Sequence, residues 1–486
     1  MSTVKQKTAK QMLGGVPIRT IPVEEMSRFS NKYAAIIEKF FVNNRDKLVY
    51  LHLFMFLFFL MIIVAPVYTI DPDEESTIFD NLQMFSNYAL WGLWFPLVFL
   101  SVIFTGRSWC GLLCPMGAGS EWGNKIGFQL AIPKWLRWEG VPIVSFLVVT
   151  IWGQTVGVRD HPESALLVFG GTMLLAIIIG VLFGRSKRAW CRHMCPIGLL
   201  LGVFSRLGAV DFAPKKRREG GDRQTERGLC PTMIDINRKE ESRHCIECFR
   251  CINPEARGGL FLRLRRPGEE IEKIRKANPN IAEVWFFFLG IGVALGGFLW
   301  LVLPQYQTGR QQLGEWFVDN GIFWVFESGP AWLMSVHPER REVFYWLDFI
   351  SIVGFMVGFM ILIGALLWLT TSLAAWLSGR FGGDSSYRDR FIELGYQYAP
   401  IAIISLIVGL GAKLFDLLTV FGVSPFFIQN IKLTIFAISF LWSLWLAWNI
   451  LKNQGVAKRV RYIPMLPGAI GSLLVGVAWW PSIFGM

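Results

Sequence analysis

The chain is short of charge. Only 17% of its 486 residues are Asp, Glu, Lys or Arg, while 53% are hydrophobic, and the mean hydropathy is +0.42. Soluble domains carry about 25% charged residues, so an ordinary soluble enzyme is excluded. The chain has no Cys-x-x-Cys-His, so no haem attached through that motif is expected. No outer flavin domain is visible either. Cysteine is scarce too: there are eight, and none is left over once two kinds of motif are assigned. A disulfide framework is the competing use for them. It is disfavoured because these cysteines lie in the most basic segments, which are predicted to be cytoplasmic, where thiols stay reduced.

What the sequence has is long apolar runs of roughly the 20 residues that span a bilayer. They lie at about 49–70, 89–105, 141–156, 165–183, 282–303, 345–374, 398–420, 431–451 and 463–480. The expected fold is an all-α integral membrane protein of about nine transmembrane helices with a small cytoplasmic ferredoxin-like segment. The first run starts too late for a signal peptide and is expected to stay as a helix. Four regions follow: a basic arm at 1–47 with an amphipathic patch at 33–41 that could end on the membrane surface, a four-helix block at 48–184, a basic segment at 185–280, and a second membrane block at 281–486. Residues 185–276 hold 22 Lys and Arg against 12 Asp and Glu, which is +10 of the whole chain's +12. The positive-inside rule puts this segment, the N-terminus and the cysteine motifs in the cytoplasm and the C-terminus outside. The expected setting is the inner membrane of a bacterium. Within the basic segment, 214–228 reads as a flexible loop, and the aromatic outer loop 304–342 as interfacial.

One motif occurs twice. Trp109-Cys110-Gly111-Leu112-Leu113-Cys114-Pro115-Met116-Gly117 and Trp190-Cys191-Arg192-His193-Met194-Cys195-Pro196-Ile197-Gly198 both read Trp-Cys-x-x-x-Cys-Pro-x-Gly. Each follows an apolar run that ends in Gly-Arg-Ser, and two further runs lie between them. Two crossings return the second copy to the face of the first, so Cys110, Cys114, Cys191 and Cys195 can converge. Four residues is about one helical turn, so each pair of sulfurs projects from one side. Proline after the second cysteine suits the first turn of a new helix, whose N–H groups favour an anionic cluster. Buried structural thiols are the plainer alternative. The other four cysteines are Cys230, followed by Pro231, and the triplet Cys245, Cys248 and Cys251 in Cys-x-x-Cys-x-x-Cys. That spacing matches a ferredoxin cluster loop with a remote Cys-Pro, whereas zinc sites use paired knuckles.

The doubled motif at the ends of spans, followed by a ferredoxin triplet, resembles the membrane ferredoxins of the NapH/NosR type over about 49–303. The resemblance implies that Cys110, Cys114, Cys191 and Cys195 belong to the paired motifs and Cys245, Cys248 and Cys251 to the triplet. It also implies electron transfer between the quinone pool, or a redox partner, and periplasmic reductase or maturation systems. The family commonly has two complete ferredoxin motifs, whereas this chain has one triplet whose Cys-Pro partner comes first. The four runs from 345 onward have no recognised counterpart.

The expected cofactors are two 4Fe–4S clusters, with a quinone as candidate substrate. The expected partners are the lipid bilayer, the quinone pool and a redox partner subunit or complex, and no nucleic acid. The first function class is a membrane electron carrier of the quinol dehydrogenase type. The alternative is an assembly, metal-reduction or redox-sensing factor for a respiratory oxidase or reductase; a zinc-stabilised transporter is a third reading. Weaker quinone or proton candidates are His52, Asp348, Lys413 and Asp416, since intramembrane ionisable groups are often functional. The plainer readings are a helix-end histidine and charges that snorkel. The tripeptides His161-Pro162-Glu163 and His337-Pro338-Glu339 are both expected on the outer face, where a metal site is conceivable. The charge bias predicts that reporter fusions at Gly220 and at the C-terminus of the chain report opposite sides of the membrane; the same side for both would refute the span count.

Overall fold

The computed structural model describes residues 12–13, 16–17, 28–73, 75–214, 229–252 and 259–484. The expected loop at 214–228 lies, beyond Pro214, outside the described residues. Seven helices are long and apolar enough to cross a membrane: Arg45–Tyr68, Leu82–Thr105, Pro162–Leu182, Ile281–Val302, Trp346–Arg380, Tyr387–Leu410 and Pro425–Asn453. The protein is helical and membrane-embedded. Two of the expected spans are shorter apolar helices, Val141–Thr155 and Tyr462–Ala478. At 1.5 Å per residue, 15 residues reach about 22 Å, less than the roughly 30 Å hydrocarbon core. The expected count of nine is therefore not established. A further apolar helix, Pro196–Leu207, follows the second cysteine motif.

The run expected at 398–420 is framed differently. Its spanning helix is Tyr387–Leu410. The chain breaks at Gly411 and continues as a separate helix, Ala412–Val420, which carries Lys413 and Asp416. The sequence pattern merged the two because the apolar residues continue across the break.

Both spans that lead into a cysteine motif contain a π-helical stretch, Tyr88–Trp94 in one and Leu166–Gly170 in the other. Such stretches are rare and often mark functional elements. Their recurrence shows that the repeat extends beyond the cysteines. The helix Pro115–Ile126 after the first motif lies on Gly171–Leu182, which leads to the second. The approach is close: a Cβ on Gly180 would stand 2.1 Å from the Ser120 carbonyl oxygen. Asn124 Nδ2 donates to the carbonyls of Gly180 and Phe183, each at 2.8 Å. This packing sets the two motifs side by side.

The hydrophilic segment contains one antiparallel ribbon, Val210–Pro214 against Leu260–Leu264. The arm helix Arg28–Asn43 packs on it. Leu262 N donates to Glu38 Oε2 at 2.9 Å, and Phe41 stacks on Phe249 with ring centroids 4.2 Å apart. The apolar face expected to meet the membrane is therefore partly used on the cysteine triplet. Tyr33, Ile36 and Phe40 remain exposed on the other side.

A buried ion cluster joins this segment to the second membrane block. Arg206 is fully buried. It donates to Glu283 Oε2 and Glu270 Oε1 at 2.8 Å each, to Glu241 Oε2 at 3.2 Å and to the Ala277 carbonyl at 2.7 Å. Glu283 begins the span Ile281–Val302 and accepts the Tyr396 hydroxyl at 2.8 Å. Removing one partner of a buried pair strands the others. Arg206→Ala is expected to destabilise the protein by about 3–5 kcal/mol, read as a lowered Tm in detergent; an unchanged Tm would contradict the arrangement.

Candidate iron–sulfur site

The two copies of the motif fold alike. In each, a five-residue helix carries the first cysteine: Ser108–Leu112 for Cys110 and Ala189–His193 for Cys191. The second cysteine's amide donates to the carbonyl of the motif's tryptophan, Cys114 N to Trp109 O and Cys195 N to Trp190 O, both at 2.9 Å. Each second cysteine then caps a helix that begins with proline, Pro115–Ile126 and Pro196–Phe204. Cys114 Sγ accepts from Gly117 N at 3.4 Å, so one free N–H of the helix start already points at a sulfur. The glycine after Cys-Pro-x sits in tight space. A Cβ on Gly117 would lie 3.1 Å from Arg188 Nη1, and one on Gly198 3.0 Å from the Cys191 carbonyl oxygen.

Cys110 and Cys191 are buried, with Cys114 and Cys195 half-buried beside them. Burial, then the neighbouring Cys110 and Cys191, pushes the Cys114 thiol up to about 12. Burial raises Cys191 to about 11 although Arg188 opposes it. Cys195 is pushed up by burial and by Cys191, Cys114 and Cys110. Four adjacent thiolates cannot coexist in such a place without positive charge among them.

The second set surrounds a cavity of about 270 Å³ of empty space, part of it open to solvent. Its lining includes Cys230, Cys245, Cys248, Cys251, Phe212 and Arg250. The triplet loop winds tightly because Glu247 and Phe249 adopt left-handed backbone, with φ of 50° and 58°. Burial and the neighbouring Cys248 and Cys230 push Cys251 up to about 12. The remote Cys-Pro is pinned from the second motif: Arg188 N donates to the Pro231 carbonyl at 2.8 Å, and Lys187 Nζ to the Cys230 carbonyl at 3.1 Å.

The two sets touch. A Cβ on Gly111, inside the first motif, would stand 2.1 Å from the Ile246 carbonyl oxygen and 3.0 Å from Cys248 Cα. Only glycine lets the triplet loop seat here.

Sequence reading missed the arginines. Aligned on Trp-Cys, the repeat is Arg-x-Trp-Cys, with Arg107 three residues before Cys110 and Arg188 three before Cys191. The shared Gly-Arg-Ser pointed to Arg185 instead, which is exposed. Both aligned arginines are buried. Arg188 Nη1 donates to the Cys110 carbonyl at 3.0 Å, and Arg107 Nη1 to the Arg243 carbonyl at 2.6 Å. Arg107 lies against Cys110, with Cys191 and Cys195 close by. Its Nε and Nη2 have no nitrogen or oxygen partner among the described residues. Unpaired buried N–H donors beside an all-thiol set fit an anionic iron–sulfur cluster. Among the described residues, no three His, Cys, Asp or Glu side chains are gathered as a single metal ion needs.

Comparisons with known proteins agree. Residues 89–137 and 166–218 each match the model of a 4Fe-4S binding domain, so each match covers one span and one cysteine motif. This part of the chain is similar to the NapH/NosR-type membrane ferredoxins. Among similar proteins, a putative electron transport protein, YccM, of Escherichia coli is 28% identical over 30% of this chain and 48% of its own length. The ferredoxin-type protein NapH of Haemophilus influenzae is 25% identical over 32% of this chain and 62% of its own. The regulatory protein NosR of Stutzerimonas stutzeri is 23% identical over 32% and 25% respectively. The chain thus spans between a quarter and about three fifths of the length of these relatives. Residues 262–479 match the model of a Yip1 domain, so the second membrane block has a counterpart outside the ferredoxins. No solved structure matches.

The weaker candidates are scattered. His52 is buried, and its Nε2 bonds the Gly111 carbonyl at 3.0 Å, which fixes the first motif from the first span. Asp348 bonds Arg310 Nε at 2.5 Å and accepts the Tyr345 amide at 2.9 Å, capping its helix. Lys413 sits over the Tyr88 ring at 5.5 Å, and Asp416 is exposed. The two His-Pro-Glu tripeptides do meet. The rings of His161 and His337 stack 3.8 Å apart, but His161 Nε2 faces Glu342 at 3.0 Å and its Nδ1 faces Arg340 at 2.8 Å. Both nitrogens of His161 are thereby occupied.

The seating of the triplet loop predicts the effect of a single methyl. Gly111→Ala is expected to weaken docking by about 1–3 kcal/mol and to speed alkylation of Cys248 in metal-free protein; an unchanged rate would contradict the contact.

Proposed function

We propose that the chain is a membrane electron carrier holding two 4Fe–4S clusters at the cytoplasmic ends of its spans. Electrons pass between quinol, or a membrane partner, and a redox partner complex. The observation that carries this reading is the contact between the two sets of four cysteines through Gly111 and Cys248. Each cluster, when bound, takes up and returns one electron. Cys110, Cys114, Cys191 and Cys195 would hold one, and Cys230, Cys245, Cys248 and Cys251 the other.

The protein's own residues supply position and shielding. The helix starts at Cys114 and Cys195 and the unpaired donors of Arg107 face the first set. Phe41, Phe212 and Phe249 cover the second, with Phe212 and Phe249 in edge contact at 4.9 Å. No motif places a redox centre beyond the roughly 30 Å core, so the far side of the path belongs to a mobile quinone or another subunit. The basic segment 185–276 supports a cytoplasmic location for both sites.

Anaerobically purified protein is expected to be brown and to contain about eight iron atoms, four per cluster. Cys110→Ser or Cys191→Ser should remove one paramagnetic signal and leave the cluster of Cys245, Cys248 and Cys251. Loss of both signals would show ligand sharing, and retention of both would refute the two-cluster reading. Reduction of the clusters by added quinol tests the donor.

A further inference from the structure

The two motifs differ at one charged position. Seven residues after the second cysteine the first copy has Glu121 and the second has Gly202. Arg188 is therefore paired where Arg107 is not. Arg188 Nε donates to Glu121 Oε2 at 2.7 Å, and Arg250 Nη2 to Glu121 Oε1 at 2.5 Å. Arg250 lines the cavity of the second cysteine set. Arg188 Nη1 reaches the first set, both through the Cys110 carbonyl and by standing at Gly117, where a Cβ would meet it at 3.1 Å and Cys191 Sγ at 3.5 Å. At the matching position the second copy has no carboxylate, although the buried Glu247 stands close to Gly106 and Arg107. A Cβ on Gly202 would meet the Arg243 carbonyl at 2.6 Å and Arg107 Nη1 at 3.4 Å, so a longer side chain has no room there. One carboxylate thus stands between two arginines, one at each cysteine set.

We propose that Glu121 is a positioning residue for electron transfer, the shared counter-charge through which Arg188 and Arg250 set the reduction potentials of both cluster sites. The proposal rests on the two-cluster reading. Glu121 is held ionised: although burial opposes it, Arg188 and Arg250 keep its carboxyl down at about 2. Its charge is therefore constant at working pH, and its effect is electrostatic rather than a proton step. Adding an electron to either site brings negative charge toward the two arginines. Glu121 cancels part of their attraction, so it holds both potentials below the values the arginines alone would set.

The experiment is redox titration of the full-length protein, followed by EPR, for wild type, Glu121→Gln and Arg250→Gln. In Glu121→Gln both midpoint potentials should rise with iron content unchanged. The expected size is about tenfold in the ratio of reduced to oxidised cluster, or about 59 mV for one electron. In Arg250→Gln both should fall, that of the Cys245, Cys248 and Cys251 site more. Potentials that stay at the wild-type values in a cluster-replete Glu121→Gln protein would overturn the proposal, as would movement at one site only. If Glu121→Gln fails to hold clusters, Arg250→Gln decides, because Arg250 lies at the rim; unmoved potentials there would overturn the proposal equally. Wild-type protein without two iron signals would refute the two-cluster reading itself, a result separate from all of these.

Discussion

Negative charge in a dry place is the constraint on which this structure depends. Burial pushes up the thiols of Cys114, Cys191 and Cys195 in one set and of Cys245, Cys248 and Cys251 in the other, and a neighbouring thiolate makes the next one harder to form. Such a set is worth building only around something positive. The surroundings are arranged for that. Helix starts are aimed at Cys114 and Cys195, Arg107 keeps unpaired N–H groups beside Cys110, and Arg188 reaches across from the second motif to the backbone of the first. These donors come from both copies of the repeat, so neither copy makes the environment alone.

The repeat also explains how a membrane block comes to hold a ferredoxin segment. Each copy is a span with a π-helical stretch, a short helix with the first cysteine, and a proline-led helix capped by the second. Packing of Pro115–Ile126 on Gly171–Leu182 brings the copies together. The same residues then dock the hydrophilic segment. Gly111 receives the triplet loop, Arg188 and Lys187 hold the remote Cys-Pro, and Arg107 holds the Arg243 carbonyl. A symmetric frame is thus used asymmetrically, and Glu121 against Gly202 is where the symmetry of charge breaks. Arg206 and Glu283 carry the contact on to the Yip1-like block, so the redox half and the C-terminal half share a buried polar joint rather than a hinge of exposed loop.

The membrane class, most of the span positions and the cysteine motifs were legible in the sequence, because apolar length and cysteine spacing are local properties. Tryptophan's role in the motif was visible as a repeat but not as a reason; its carbonyl receives the second cysteine's amide, which no spacing reveals. The framing of 398–420 failed because a glycine break inside continuous apolar sequence leaves hydropathy unchanged. The arginines failed for another cause. Gly-Arg-Ser recurs by eye, but the copies must be aligned on Trp-Cys before Arg107 and Arg188 fall at the same place.

By itself, the sequence determined that this is a membrane protein with a doubled Cys-x-x-x-Cys-Pro motif and a cysteine triplet, since bilayer thickness and ligand spacing each impose a pattern along the chain. Tertiary structure decided that the triplet loop seats on Gly111 of the first motif, that Arg188 serves one motif from the other, and that His52 supports Gly111 instead of standing free. Those outcomes depend on which backbones can approach to van der Waals distance, and that is settled by packing between segments far apart in the chain.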